Sequence, residues 1–187
     1  MKNGDKLRDG IFALRTRRFG SVAECMIKRM LQCSQAKSLF HDLYDDNLKH
    51  RIEVKFSVVQ KACETTVTEE TVLRCIEEAT AAERMVSFHD WATNEFDCNI
   101  QQVKRAEFDV LNYGLFFSDC IQIFRIESKE IKENRKGGLI FYSDRQHKGN
   151  VVEGQFHISQ KTLQIHLDRY HYKTLLYDEL RELLACP

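Results

Sequence analysis

A single proline and eight glycines are spread over 187 residues, with no internal repeat, low-complexity tract or Pro/Ser-rich linker. Nothing marks a boundary, so residues 1–187 are expected to form one domain. No uncharged apolar run reaches the ~18 residues of a membrane span, and Met1 to Gly10 is polar where a secretory signal would be apolar. A membrane partner is thereby excluded, and a cytosolic protein is expected. The seven cysteines (Cys25, Cys33, Cys63, Cys75, Cys98, Cys120 and Cys186) are odd in number and scattered, with no CxxC pair. That excludes a disulfide framework or a zinc knuckle and leaves reduced thiols that behave as small hydrophobes. There is no HExxH either, so His157 and His166 read as hydrogen-bonding or exposed residues rather than zinc ligands. Without a GxSxG elbow, a Walker A loop, a GxGxxG turn or an HNH-type His/Asn cluster, the serine hydrolase, NTPase, dinucleotide-binding and HNH classes lack their minimum parts.

What is present begins with charge. Lys plus Arg and Asp plus Glu each number 28, for a formal net charge of zero, but the distribution is uneven. Residues 1–30 carry eight basic groups against three acidic ones, residues 64–97 carry nine acidic against two basic, and residues 125–148 carry seven basic against four acidic. A polyanion could bind one side, although any single charge run is also what a solvated helix face looks like.

Ile11, Leu14, Val22, Met26 and Met30 keep helical spacing over residues 10–33, with an interruption expected near Phe19-Gly20-Ser21, where Ser21 would cap a second helix carrying Glu24 in its first turns. Phe40 to Tyr44 reads as a short strand, Asp45-Asp46-Asn47 as a turn, and His50 to Val59 as a strand whose apolar set is Ile52, Val54, Phe56 and Val58. Thr66-Val67-Thr68-Glu69 has the form of a capping box, and Val72, Ile76, Ala79 and Val86 predict a helix from 67 to 86. Segments 108–118, 120–126, 138–142, 155–158 and 163–167 are strand-like, with Gly137-Gly138 as a hairpin turn. A C-terminal helix has Leu176, Leu180 and Leu183 on one face. The sum is a mixed α/β or α+β sandwich.

The chemistry concentrates in Phe40-His41-Asp42-Leu43-Tyr44-Asp45-Asp46 and Arg51-Ile52-Glu53-Val54-Lys55-Phe56-Ser57. Side chains alternate across a strand, so with Ile52, Val54 and Phe56 in the core, Glu53, Lys55 and Ser57 share the other, wet face. A hairpin brings Asp42 beside them. Two carboxylates within a few ångströms raise one another's pKa and are favourable only with a cation between them. Magnesium suits, because it takes hard oxygen ligands and shares its coordination with phosphate and water. Lys55, on the same face, is placed to orient or deprotonate a water, or to neutralise charge on a phosphate. Taken alone, Glu-x-Lys on a wet strand face is ordinary sequence; the Asp at hairpin distance, Glu24 on the upstream helix and a helix after the motif strand distinguish this one.

That combination resembles the PD-(D/E)XK nuclease superfamily, in particular the type II restriction endonucleases, over Glu24 to Ser57, with the order of elements agreeing as far as Ile126. The resemblance implies a restriction-endonuclease-like core, α/β (α+β) with a central mixed β-sheet flanked by helices. It implies that Asp42 and Glu53 ligate Mg2+ together with the main-chain carbonyl of Val54, that Glu24 adds a ligand from the first core helix, and that Lys55 assists the attacking water. His41 stands where the motif has its proline, and Asp45 or Asp46 is an alternative to Asp42 as the metal acid. Gln102 and Lys104, in Gln101-Gln102-Val103-Lys104-Arg105, are expected to support the site, the plainer reading being a solvated polar segment. Asp109 and Asp119 stay unassigned.

For DNA contact, Asn134 to Lys136 and Ser143 to Asn150 concentrate suitable groups. Arg135, Lys136, Arg145 and Lys148 match guanine O6/N7, Gln146 and Asn150 match adenine N6/N7, and His147 and Gly149 lie among them. An ordinary hydrophilic hairpin has the same composition; Gln155 and His157 are secondary candidates. The resemblance implies a Mg2+-dependent, sequence-specific endonuclease of restriction-modification type, acting on double-stranded DNA and leaving 5′-phosphate and 3′-hydroxyl ends. One chain supplies one active site, so cutting both strands of a palindrome calls for a homodimer. The alternatives are a structure-specific repair or recombination nuclease of the junction-resolvase kind, and a non-catalytic DNA-binding module.

Overall fold

The computed structural model describes residues 3–62, 65–77, 79, 81–132, 142–143 and 154–185. Helices α1 (Asn3–Phe12) and α2 (Thr16–Leu31) precede the strands β1 (Ser34–Gln35), β2 (Leu43–Asp45) and β3 (His50–Val58). The short helices α3 (Val72–Glu77) and α4 (Ala81–Arg84) then lead to β4 (Asp97–Val103), β5 (Val110–Phe116) and β6 (Cys120–Glu127). After them come β7 (Gly154–Ser159), α5 (Leu163–Tyr170), β8 (His171–Leu176) and α6 (Tyr177–Ala185).

Six strands form one sheet in the order β1-β2-β3-β5-β6-β8, and β4 pairs with β7 in a separate two-stranded sheet. β3 and β5 run parallel, from Ile52 opposite Val110 to Val58 opposite Phe116, and the other pairings are antiparallel. A parallel neighbour needs a crossover, and the segment holding α3, α4 and β4 supplies it. All seven residues of β5 are buried, as expected for a central strand covered on both faces. On one face Ile52, Val54, Phe116, Ile121 and Ile123 meet Phe19, Ala23, Met26 and Ile27 of α2 and Leu180 of α6. On the other, Leu111, Tyr113, Leu115 and Phe124 meet Ile100, Phe156 and Ile158 of the small sheet and Leu163 of α5. The class is therefore α+β, a central mixed sheet flanked by helices. Gly114 sits where three strands crowd: a Cβ there would collide with the Gln122 carbonyl and the Phe56 ring. Among the described residues no helix is long and apolar enough to cross a membrane.

Several elements differ from the sequence expectation. α2 runs unbroken through Phe19-Gly20-Ser21, and the chain breaks earlier, between Phe12 and Thr16. Phe19 is needed in the core beside Ala23, and Ser21 Oγ donates to the Arg17 carbonyl at 3.3 Å, an interior contact rather than a cap. The helix expected over 67–86 forms only as α3 and α4. Leu73 is 70% exposed, and Thr71 Oγ1 accepts the Thr68 N–H and donates to the Thr66 carbonyl, closing a turn in place of the capping box. Residues 163–167 are helical because Leu163, His166 and Tyr170, at helical spacing, are the buried set. β4 and β8 were not anticipated. The first hairpin strand is Leu43–Asp45, with Phe40 outside it and 64% exposed, and Leu176 ends β8 rather than joining the α6 face. The 138–142 strand, apart from Tyr142, and the Gly137-Gly138 turn lie outside the described residues.

Candidate functional site

β2 leaves β3 at Asp42. Its main-chain N–H still donates to the Ile52 carbonyl (3.1 Å), but the next acceptor on that edge is its side chain, Oδ2 taking the Val54 N–H at 2.9 Å. A carboxylate thus replaces the carbonyl a continuing strand would have offered. The Asp42 carbonyl is pinned from the other side by the Ala36 N–H (3.2 Å) and Gln35 Nε2 (2.9 Å). In an extended strand the N–H and C=O of one residue project to the same edge, so the Val54 carbonyl faces the gap where β2 has departed. The Val54 side chain stays in the helix-side core.

Glu53 and Lys55 share the opposite face of β3, as alternation predicts, but that face is covered and not wet: Glu53 is only 8% exposed, beside Leu111 on β5. Lys55 Nζ forms an ion pair with Glu53 Oε1 and lies 3.8 Å from Asp42 Oδ2. Glu53 Oε2 is buried with no hydrogen-bond partner. Burial pushes the Glu53 carboxyl up to about 7; the Lys55 ammonium opposes the rise, and the charges of Asp42 and Glu107 add to it. Burial likewise raises Glu24 on α2, with the Asp42 charge reinforcing the shift and Lys55 opposing it. Burial works against the Lys55 ammonium, yet Glu53, Asp42 and Glu24 hold it above its ordinary value. Glu24, Asp42, Glu53 and Lys55 are therefore one electrostatic cluster. Glu107 belongs to it too and was not foreseen: no local pattern marks it, because only the β3–β5 pairing brings the start of β5 beside Glu53.

Lys104 Nζ stands 3.8 Å from Glu107 Oε2, so it reaches the cluster through Glu107. Gln102 is exposed on β4 with a φ of 57°, inside the irregular register between Ile100 and Val103. Asp45 is engaged as a turn cap: its Oδ1 accepts the Asn47 and Leu48 N–H groups, which hold its carboxyl below the usual range, while Asp46 is exposed in that turn. Asp109 is held down to about 2 by the Arg51 guanidinium, and Asp119 caps Ser87, Phe88 and His89. His157 is bound by Asp97 at 3.0 Å, and His166 is buried against the Tyr113 hydroxyl (2.9 Å), with burial lowering it to about 4. Cys98 and Cys120 are free and buried, and burial pushes their thiols up to about 12 and 11, which makes them inert. The DNA-contact candidates Arg135, Lys136, Arg145, Gln146, His147, Lys148 and Asn150 lie outside the described residues.

Among the described residues no three His, Cys, Asp or Glu side chains are already grouped to hold a metal ion; the Lys55 ammonium is the counter-ion between Asp42 and Glu53. The donors are nonetheless the hard oxygens that Mg2+ takes, and one of them, Glu53 Oε2, is buried and unpaired. Comparison with protein-family models, with curated proteins and with solved structures finds no match to this chain.

Proposed function

We propose that the protein is a Mg2+-dependent endonuclease that cuts double-stranded DNA at a defined sequence, with the restriction-endonuclease-like core that the Glu24–Ser57 motif implies. The observation that carries this reading is the buried, unpartnered Glu53 Oε2 at the splayed β2–β3 edge. It belongs to a cluster whose four carboxylates, Glu24, Asp42, Glu53 and Glu107, outnumber its two ammonium groups, Lys55 and Lys104, and such a cluster is unfavourable unless a further cation enters. Asp42, Glu53, Glu24 and the Val54 carbonyl would hold Mg2+, which supplies neutralisation of the scissile phosphate and a more acidic bound water. Lys55, kept protonated by its neighbours, acts as a donor that orients water or a phosphate oxygen, and is no base at neutral pH. Glu53 must ionise to bind a cation, so affinity rises with pH through its shifted pKa. The products are 5′-phosphate and 3′-hydroxyl ends. Base reading is assigned to 134–136 and 143–150 on composition, and the two cuts of a palindrome to two copies of the chain.

The test is incubation of wild-type and Lys55→Ala protein with a long, sequence-diverse duplex, with and without Mg2+, folding being checked by circular dichroism. Discrete fragments from the wild type alone, and only with Mg2+, are expected. Cutting confined to branched substrates would move the assignment to a junction nuclease, and retarded but uncut DNA to a binding module. A Lys55→Ala protein that cuts normally would show the site to be misplaced.

A further inference from the structure

The segment that joins β1 to β2 is tied to the acid cluster at its base and bare at its tip. Its base is Asp42, whose carbonyl accepts the Ala36 N–H at 3.2 Å and Gln35 Nε2 at 2.9 Å. The tip is tightened by Ser38, whose Oγ accepts the Phe40 N–H at 3.1 Å. Leu39 is fully exposed and Phe40 is 64% exposed. Two large apolar side chains therefore stand in water on a loop whose ends are bonded to each other, and neither supports the core.

Their place separates them from the other exposed apolar residues. Leu48 lies in the turn at the other end of the β2–β3 hairpin, Leu176 ends β8 at the far edge of the six-stranded sheet, and Val67, Leu73 and Ile76 belong to the crossover segment. Phe40 is two residues from Asp42 and Leu39 three, so chain geometry alone holds their Cα atoms within roughly 7 and 11 Å of it. Successive phosphates of one strand advance about 3.4 Å along the duplex axis. A duplex whose scissile phosphate lies at Asp42 therefore passes this tip within about three or four nucleotides of the cut, whichever way the strand runs.

The chemistry of the loop selects its occupant. Residues 36–41 carry the exposed Lys37 and no carboxylate, a positive sign beside an acidic centre. Leucine and phenylalanine gain nothing from phosphates, whereas base faces offer them an apolar stack. A second copy of the chain fits less well, because two such side chains bury at most roughly 500 Å2 against the ~800 Å2 per partner of a standard interface. Resting on the endonuclease reading, we propose that Leu39 and Phe40 form a wedge that enters the base stack within about four nucleotides of the cut. It parts one base step and kinks the duplex there. Because the loop is bonded to Asp42, the wedge fixes where along the strand the metal acid stands.

The experiment uses a duplex containing the mapped cut, with 2-aminopurine placed in turn at each of about four nucleotides on either side, and measures fluorescence and affinity in Ca2+. The proteins compared are the wild type, Leu39→Ala/Phe40→Ala, Phe40→Trp and Leu48→Ala. All should share one thermal midpoint, since none of these side chains is in the core. With the wild type, 2-aminopurine at one position should brighten severalfold, as a base does on losing its stack. The double alanine variant should lose that signal and bind about tenfold more weakly, while Phe40→Trp keeps its affinity and Leu48→Ala matches the wild type. A mismatch at the bright step, already partly unstacked, should tighten wild-type binding about tenfold and leave the double variant unmoved. Unchanged fluorescence and affinity in the double variant would overturn the wedge while leaving the endonuclease standing. So would a wild-type dimer that the double variant breaks into monomers, which would make the tip a contact between copies. A wild-type protein that neither binds nor cuts DNA would remove both.

Discussion

Glu53 is where local pattern and tertiary environment part company. Its carboxyl has an ordinary value near 4.5 and is pushed to about 7 in the fold, chiefly by burial. Between those values the folded protein holds a proton that the unfolded chain has released, so stability falls as pH rises from about 4.5 to 7 and levels off above it. At 1.36 kcal/mol per pKa unit the loss amounts to about 3 kcal/mol at most. Urea denaturation in EDTA is expected to find the wild type less stable at pH 8 than at pH 5, and Glu53→Gln to remove most of that difference. A divalent cation at pH 8 should restore stability to the wild type, because only the folded state assembles the ligands. If Glu53→Gln keeps the full pH dependence, the destabilising charge resides elsewhere. The residue types of the cluster were legible in the sequence, since Asp42, Glu53, Lys55 and Glu24 all come together. What covers them was not: alternation assigns Glu53 and Lys55 to one face, but β4 of the small sheet, which packs against β3, comes from a distant part of the chain.

At the scale of elements, β3 was readable because its apolar alternation is long and bounded by a turn that its own Asp45 caps. α3 and α4 were over-read because helical spacing of Val72 and Ile76 has meaning only where a partner surface exists, and those side chains are exposed. β4 was missed because its apolar alternation is short, Cys98 and Ile100 only, and the irregular register then moves the next buried position to Val103. The junction of β3, β5 and β6 carries the site, since β3 holds Glu53 and Lys55 while β5 fixes its position. Gly114 lets those strands approach, so Gly114→Ala must displace the Gln122 carbonyl or the Phe56 ring. The expected cost is about 2–3 kcal/mol, a typical penalty for overpacking a close-packed interior. Gly10→Ala, in α1 where an added Cβ meets nothing, should be neutral or stabilising by up to about 1 kcal/mol. Denaturant midpoints of the two variants decide this, and equal midpoints would mean that the three-strand junction yields more easily than its packing implies.

For the whole molecule, the formal charge of zero conceals an excess of basic residues along α2 and an acidic centre at the β2–β3 edge. In that centre Glu24, Asp42, Glu53 and Glu107 outnumber the ammonium groups of Lys55 and Lys104. A phosphodiester brought there without a cation meets net repulsion. Ca2+, which provides the charge with oxygen ligands at less exacting geometry than Mg2+, should therefore raise duplex affinity about tenfold or more at 100 mM salt without efficient cleavage. The Asp42→Asn/Glu53→Gln protein should bind equally well with Ca2+ and with EDTA, since the repulsion and its remedy are removed together. Fluorescence anisotropy with one labelled duplex in both buffers measures all four combinations. A wild type indifferent to Ca2+ would mean that the carboxylates do not face the DNA, and the cluster would then be an internal ion pair of the β3 edge and no more.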